Sequence, residues 1–196
     1  AMQLMARLSD EASQIKEQLQ RKFPPIVEVR ISEKTGKRLK DKVTVFNPAS
    51  RKQIAERLSE LGWKPHAYTE KGQAIVSEDV LSKVDIPEAQ MVARFLLLEK
   101  RVSQIKSWIE AVGDDGRVHG KVWTLGTITG RMTHTSPNMA QIPAVYSPYG
   151  KECRDVWTTR THADSIGNSV LLGCDASGLE LRMLAHYMND RDFTRE

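Results

Sequence analysis

The sequence predicts an α+β fold in which a helical half, residues 1–112, precedes a mixed half, residues 113–196. Three observations predict it. Met91, Phe95, Leu98, Val102, Ile105 and Ile109 alternate spacings of four and three, the pattern of a long amphipathic helix. At Gly113 the character changes: Val118, Val122, Leu125 and Ile128 sit among Gly116, Gly120, Gly126 and Gly130, which reads as short strands and tight turns. Near the C-terminus the apolar run Val170–Cys174 leads into Asp175, and Leu181, Leu184, Ala185 and Met188 then repeat at helical spacing. That last pattern is a buried strand followed by a helix.

In chain order, Leu4, Leu8, Ile15, Leu19 and Phe23 share one helical face, and Pro24-Pro25 stops that helix. Residues 26–46 read as an extended hairpin with a turn at Lys34-Thr35-Gly36-Lys37. Asn47-Pro48 is expected to open a second helix as N-cap and first turn, with Ile54, Leu58 and Leu61 buried and Gly62 as the stop. Gly72 breaks the next connection, and Ser77-Glu78-Asp79 starts a short helix. Pro87 opens the long helix and Gly113 closes it, a span of about 25 residues or roughly 38 Å. Its stripe predicts antiparallel packing against the first helix.

Lys and Arg number 29 against 25 Asp and Glu, a formal charge of +4 that agrees with a polyanionic partner without identifying one. Cys153 and Cys174 lie in no CxxC pattern, which argues against a zinc site or a disulfide framework, and Cys174 is expected in the core. No stretch approaches the roughly 18 apolar residues of a membrane span, and no signal peptide is read at the N-terminus. These features predict a reducing, cytoplasmic setting and no membrane partner.

Three segments carry candidate chemistry. The hairpin tip holds Arg30, Lys34, Lys37, Arg38, Lys40 and Lys42 against Glu28, Glu33 and Asp41; it is either a solvated loop or a phosphate-contacting tip. TGRMTHTSPNMAQIP, residues 129–143, is rich in turn formers and long polar donors. Arg131, Asn138 and Gln141 could donate to the acceptors that every base pair offers in the minor groove. On residues alone, a self-satisfied turn network is the stronger reading. Asp175, at the end of an apolar strand, is costly to bury unless it is paired or holds a metal; two-metal phosphoryl transfer uses such carboxylates. The plainer role is a cap for the following helix. The five histidines show no metal-ligand spacing.

DASGLELRMLAH resembles motif A of the family A DNA polymerases, and TGRMTHTSPNMAQIP resembles the segment that precedes motif A in that family. FNPASRKQIAERLSELGWKPHAYTEKGQAIVSEDVL and IPAVYSPYGKECRDVW are similar to the replicative polymerases of short-tailed coliphages. The resemblance runs from about Val45 to the end and is weaker before it. It implies a helical thumb, 1–112, with the basic tip 26–46, then the N-terminal part of a palm, 113–196, with a small antiparallel sheet and the motif A strand and helix. By motif position, Asp175 and the Ala176 carbonyl would bind the two catalytic Mg2+ ions. Asp175, Ala176, Ser177, Gly178, Leu179 and Glu180 would line the dNTP, with Glu180 excluding ribose. Arg182 would support the acidic site. Arg131, Thr133, Asn138 and Gln141 would contact primer–template DNA in the minor groove, and Lys37, Arg38 and Lys40 its phosphates. The implied activity is nucleotidyl transfer from dNTP to a primer 3′ hydroxyl, in the cytoplasm of a host cell if the chain is phage-encoded. The family's fingers and motif C are absent, so the chain is expected to be a fragment that is inactive alone. Its partner would be a second polypeptide carrying those parts if the enzyme is split. A non-catalytic DNA-binding module is the alternative. Only about 20 residues occupy the place of the large thumb insertion of some phage relatives, so no processivity factor is expected.

Overall fold

Leu8, Ala12, Ile15 and Leu19 turn one apolar face of α1, Met2–Lys22, inward. The helix stops at Phe23, ahead of two prolines that lack the N–H needed to continue it. That face packs against α4, Pro87–Glu110, the longest helix, which begins with proline at its first turn. Lys22 at the end of α1 meets Glu88 at the start of α4 with Nζ 2.5 Å from Oε1, while Glu11 near mid-α1 accepts from Arg94 Nε at 2.9 Å. The helices therefore run antiparallel, as the sequence predicts.

The computed structural model describes residues 1–31, 36–159 and 172–189. Two compact units divide the chain, Ala1–Val156 and Trp157–Glu196.

In the first unit, a ribbon follows α1. Strands β1, Ile26–Glu28, and β2, Lys42–Thr44, pair antiparallel with Val27 opposite Val43, and Ile31 bridges to Arg38 beyond them. Three positions separate Glu28 from Ile31 and four separate Arg38 from Lys42, so the second strand carries one extra residue. The expected turn at 34–37 lies partly outside the described residues; Gly36 has φ +64°. The base of the ribbon is pinned. Phe23 and Phe46 stack with centroids 4.7 Å apart, Gln20 Nε2 donates to the Phe46 carbonyl at 3.2 Å, and the Arg57 guanidinium donates to the Pro24 carbonyl.

Helix α2 spans Arg51–Glu60, so its start lies beyond the expected Asn47-Pro48. Asn47 instead closes a turn: its Oδ1 accepts from the Ala49 N–H at 3.0 Å, its carbonyl accepts from Ser50, and Gln53 Oε1 reaches back to the Asn47 N–H at 2.7 Å. Ile54 and Leu58 are fully buried as expected, but Leu61 is 47% exposed. The helix has ended by Leu61, and Gly62, at φ +91°, turns the chain so that Trp63 takes the buried place. Helix α3, Glu78–Leu81, is capped by Ser77, whose Oγ accepts from the Val80 N–H at 3.4 Å.

On α4, Phe95, Leu98 and Ile105 of the predicted stripe are buried, while Met91, Val102 and Ile109 are only partly covered. Val92, Leu97, Arg101 and Trp108 are buried as well. The buried surface is wider than one stripe because α1, α2 and α3 all pack on this helix. Past α4, strands β3, Lys121–Trp123, and β4, Thr133–Thr135, form a second antiparallel pair, followed by a 3₁₀ turn, Met139–Gln141, and α5, Gly150–Asp155. Gly150 is obligatory: a Cβ there would lie 1.7 Å from the Ala144 carbonyl oxygen.

In the second unit, α6 spans Leu179–Met188, with Gly178 as its N-cap in the left-handed region at φ +61°. The strand expected over Val170–Cys174 is not formed at residues 172–176, which carry no regular secondary structure; Val170 and Leu171 lie outside the described residues. Cys174 is exposed, against the expected core position, and Leu172 is 92% exposed. A strand exists only where a neighbour accepts and donates its ladder bonds, and among the described residues none pairs with 172–176. Among the described residues, no helix is long and apolar enough to cross a membrane.

Two stability measurements check this arrangement. Leu98→Ala should cost about 3 kcal/mol in urea unfolding, since it empties a sealed core position, whereas Leu61→Ala should cost less than about 1 kcal/mol. Glu88 has its carboxyl held below the ordinary carboxylate range, first by the hydrogen bond from Lys22 and then by a backbone N–H. A lowered folded value means a contribution present above the unfolded pKa and lost as pH falls through the folded one. Glu88→Gln should therefore cost about 0.5–1 kcal/mol at pH 7, with the gap from the parent closing below about pH 4.

Candidate functional site

The expected minor-groove residues lie on β4 and the segments that flank it, and the expected phosphate contacts lie on the ribbon. The β3–β4 hairpin places Val122 opposite His134, and its tip, residues 124–132, doubles back closely. A Cβ on Gly126 would lie 2.1 Å from Thr133 Oγ1, so only glycine fits there. Thr133 is half-buried and packs beneath that glycine, which gives it a structural duty. Within the tip, Thr127 Oγ1 lies 3.0 Å from the Arg131 N–H and 3.2 Å from its carbonyl. Leu125 and Ile128, which read as strand-forming residues, lie at the tip and are 83% and 106% exposed.

Asn138 caps the 3₁₀ turn, its Oδ1 accepting from the Ala140 N–H at 3.1 Å. That bond occupies the amide oxygen and leaves the side-chain NH2, a double donor, outside it. Gln141 is exposed; its carbonyl accepts from Gln104 Nε2 at 3.4 Å. Gln104 in turn accepts from Arg101 Nη1 at 3.0 Å, and Arg101 Nε reaches the Pro148 carbonyl at 3.3 Å. Arg154 Nε donates to the Pro143 carbonyl at 2.8 Å. Residues 138–148 thus hang from α4 and α5 by two guanidinium donors and one amide donor to backbone oxygens. Arg101, 7% exposed, is a residue that sequence reasoning missed; its place inside the apolar stripe of α4 was the available signal.

The expected turn network is formed here. Backbone atoms, the Thr127 hydroxyl and one amide oxygen satisfy the turns, and the exposed residues Arg131, Asn138 and Gln141 lie along the same short segment.

On the ribbon, Arg38 Nη2 is 2.8 Å from Asp41 and Lys42 Nζ is 3.3 Å from Glu28. Internal carboxylates thus partly neutralise the tip. Lys37 and Lys40 have no ion pair among the described residues. At the exit from α4, Asp115 Oδ2 lies 2.9 Å from His119 Nε2 and its Oδ1 accepts from the Arg117 N–H at 3.1 Å. The histidine bond, then the backbone bond, hold the Asp115 carboxyl below its ordinary range.

In the second unit, Asp175, Ala176, Ser177, Gly178, Leu179, Glu180 and Arg182 are all exposed. The burial that made Asp175 costly is absent, and hydration stabilises its charge. Asp175 does not cap α6; Gly178 does, its carbonyl accepting from the Arg182 N–H at 3.0 Å. Glu180 lies in the first turn of α6, where the helix dipole favours a carboxylate. No cluster of three or more His, Cys, Asp or Glu groups able to hold a metal ion occurs among the described residues. Asp175 and the Ala176 carbonyl are hard oxygen donors that suit magnesium, but they make only part of a coordination shell.

Over residues 9–196 the chain matches the family model described as DNA polymerase family A. It is 46% identical over 156 residues to the DNA-directed DNA polymerase of Escherichia phage T7, covering 74% of this chain and 22% of that protein. Against the thermostable DNA polymerase I of Thermus aquaticus it is 31% identical over 158 residues, 76% of this chain and 18% of that one. The chain thus spans about a fifth of the length of these curated relatives. The POL domain of Pol1 from M. smegmatis, solved in complex with DNA primer–template and dNTP, superposes with a TM-score of 0.70 at 19% identity, over 97% of this chain and 30% of that one. That likeness establishes the fold. Both motif segments, Thr129–Pro143 and Asp175–His186, fall inside the matched range, and with a phage relative at 46% identity the conclusion is direct: the chain belongs to DNA polymerase family A.

Proposed function

We propose that the chain serves template-directed DNA synthesis, contributing duplex grip and one metal-binding aspartate to nucleotidyl transfer from dNTP to a primer 3′ hydroxyl. The observation that carries this is the family match running through both motif segments. Residues 1–112 act as thumb and 113–196 as the N-terminal palm. Arg131, Asn138 and Gln141 donate to the N3 and O2 acceptors that all base pairs share in the minor groove, which senses duplex geometry without reading sequence. Thr133 positions the hairpin beneath them. Lys37 and Lys40 add phosphate contacts, with a smaller part for Arg38.

In the second unit, Asp175 and the Ala176 carbonyl would hold magnesium, with further ligands from phosphates and other parts of the polymerase. Magnesium bound there supplies Lewis-acid neutralisation of phosphate charge. Ser177 and Gly178 keep the approach to the nucleotide free of bulk, and Leu179 opens the helix beside it. Glu180 stands against the sugar 2′ carbon and disfavours a ribose hydroxyl. Arg182, one turn beyond Gly178, balances the local carboxylate charge. The remaining parts of the polymerase would complete the site, supplied by a second polypeptide if the enzyme is split, and the setting would be the cytoplasm of a host cell if the chain is phage-encoded.

Fluorescence anisotropy with labelled primer–template tests this division of labour. The parent chain should bind duplex in preference to matched single strand, with affinity falling steeply as salt rises. Arg131→Ala should weaken duplex binding about five- to fiftyfold, in line with a charge-assisted hydrogen bond, while Asp175→Ala leaves it within about twofold. Equal loss from both variants, or none from Arg131→Ala, refutes the assignment.

A further inference from the structure

We infer that Thr127 is a positioning residue for the primer–template contact, acting through the backbone of Arg131. The inference rests on the reading of Arg131 as a duplex contact and adds the residue that orients it.

The hydroxyl accounting is complete. Thr127 Oγ1 has three neighbours: the Arg131 N–H at 3.0 Å, the Arg131 carbonyl at 3.2 Å and Thr129 Oγ1 at 2.9 Å. A hydroxyl has one proton to give and two lone pairs to receive. The carbonyl can only accept and the N–H can only donate, so the Thr127 proton goes to the Arg131 oxygen. Its lone pairs then take the Arg131 N–H and the Thr129 hydroxyl proton. One assignment satisfies all three contacts, and it fixes the direction of the Thr129 hydroxyl as well.

Both backbone groups of Arg131 are thereby held by one side chain in an exposed hairpin tip, where no ladder would hold them. The Gly130 N–H to Thr127 carbonyl bond at 3.1 Å, with Gly130 at φ +76°, closes the turn between the two residues. Beneath it, Gly126 lies flat on Thr133, which fixes the start of the tip to β4. Arg131 sits immediately before Met132 and β4, so pinning its backbone sets the point and direction from which its side chain leaves the hairpin. Preorganisation of this kind lowers the ordering cost when the guanidinium meets a base edge.

The test is a double-mutant cycle in the 196-residue chain, using anisotropy with a fluorescein-labelled primer–template at fixed salt. Thr127→Val, which keeps the shape and removes the hydroxyl, should weaken binding about three- to tenfold, the equivalent of one to two hydrogen bonds. Thr127→Ser should restore parental affinity. Thr127→Val should add nothing in an Arg131→Ala background. Thr127→Ala should reproduce the valine result, which guards against a misfitting methyl. In both hydroxyl-free variants the Arg131 amide proton should exchange faster while the melting temperature stays within about 1 °C, since the site is exposed. Parental affinity in Thr127→Val, or an equal loss from it with and without Arg131, overturns the inference while leaving the Arg131 contact standing. An unaffected Arg131→Ala overturns the contact and this inference together.

Discussion

The antiparallel seam between α1 and α4 is the constraint on which the first unit depends. Leu8, Ala12, Ile15 and Leu19 on one side, and the broad buried surface of α4 on the other, are together the largest block of apolar area withdrawn from water. At about 25 cal/mol per Å2, such burial outweighs the surface ion pairs that decorate it. Those pairs set register: Lys22 with Glu88 marks one end, and Glu11 with Arg94 fixes the middle. Glu11 also accepts from the Tyr149 hydroxyl at 3.0 Å, and Arg7 lies 3.5 Å from Glu152. The flank of the helix that seals the core therefore holds Tyr149 and α5 in place, and through Arg101 and Gln104 the stretch that carries Asn138 and Gln141 hangs from α4.

Support and contact are divided between different residue types. Arg101, Gln104 and Arg154 are long donors spent on backbone carbonyls. Asn138 uses one end of its amide in a cap, and Thr127 uses its hydroxyl on both backbone groups of Arg131 and on the Thr129 hydroxyl. Fixed turns under exposed side chains suit a surface that must meet a regular polymer in one geometry whatever its sequence. The second unit has a different character: its helix follows a glycine cap, and Asp175, Glu180 and Arg182 face solvent.

How far the sequence reveals this differs by element. Helices α1 and α4 are legible because period and punctuation agree: apolar spacing ends at Pro24-Pro25 in one and begins at Pro87 in the other. The start of α2 is less so. Asn47-Pro48 has the chemistry of a cap and equally that of a turn, and the choice was made by Gln53 reaching back to the Asn47 N–H. Leu61 carries the right periodicity, but Gly62 ends the helix first and hands the buried place to Trp63. The apolar run at 170–174 shows the clearest gap. Hydrophobicity can be read from residues, but a strand also needs a partner, and that lies outside any local pattern. The candidate site residues were named through motif resemblance. Their supports were not, because Thr127, Arg101 and Gln104 act by reaching backbone atoms that no side-chain pattern records.

The separation of α1 from α4 in the chain has a consequence for synthesis. The apolar face of α1 leaves the ribosome before its cover exists, since α4 ends at Glu110, 88 residues after Lys22. At about 5–20 residues per second that interval is roughly 4–18 seconds. Throughout it the apolar stripe of Leu8, Ile15 and Leu19 lacks the cover that α4 gives it in the folded chain. A holdase chaperone that binds apolar helical stripes would meet α1 within that interval, and release would coincide with the emergence of α4.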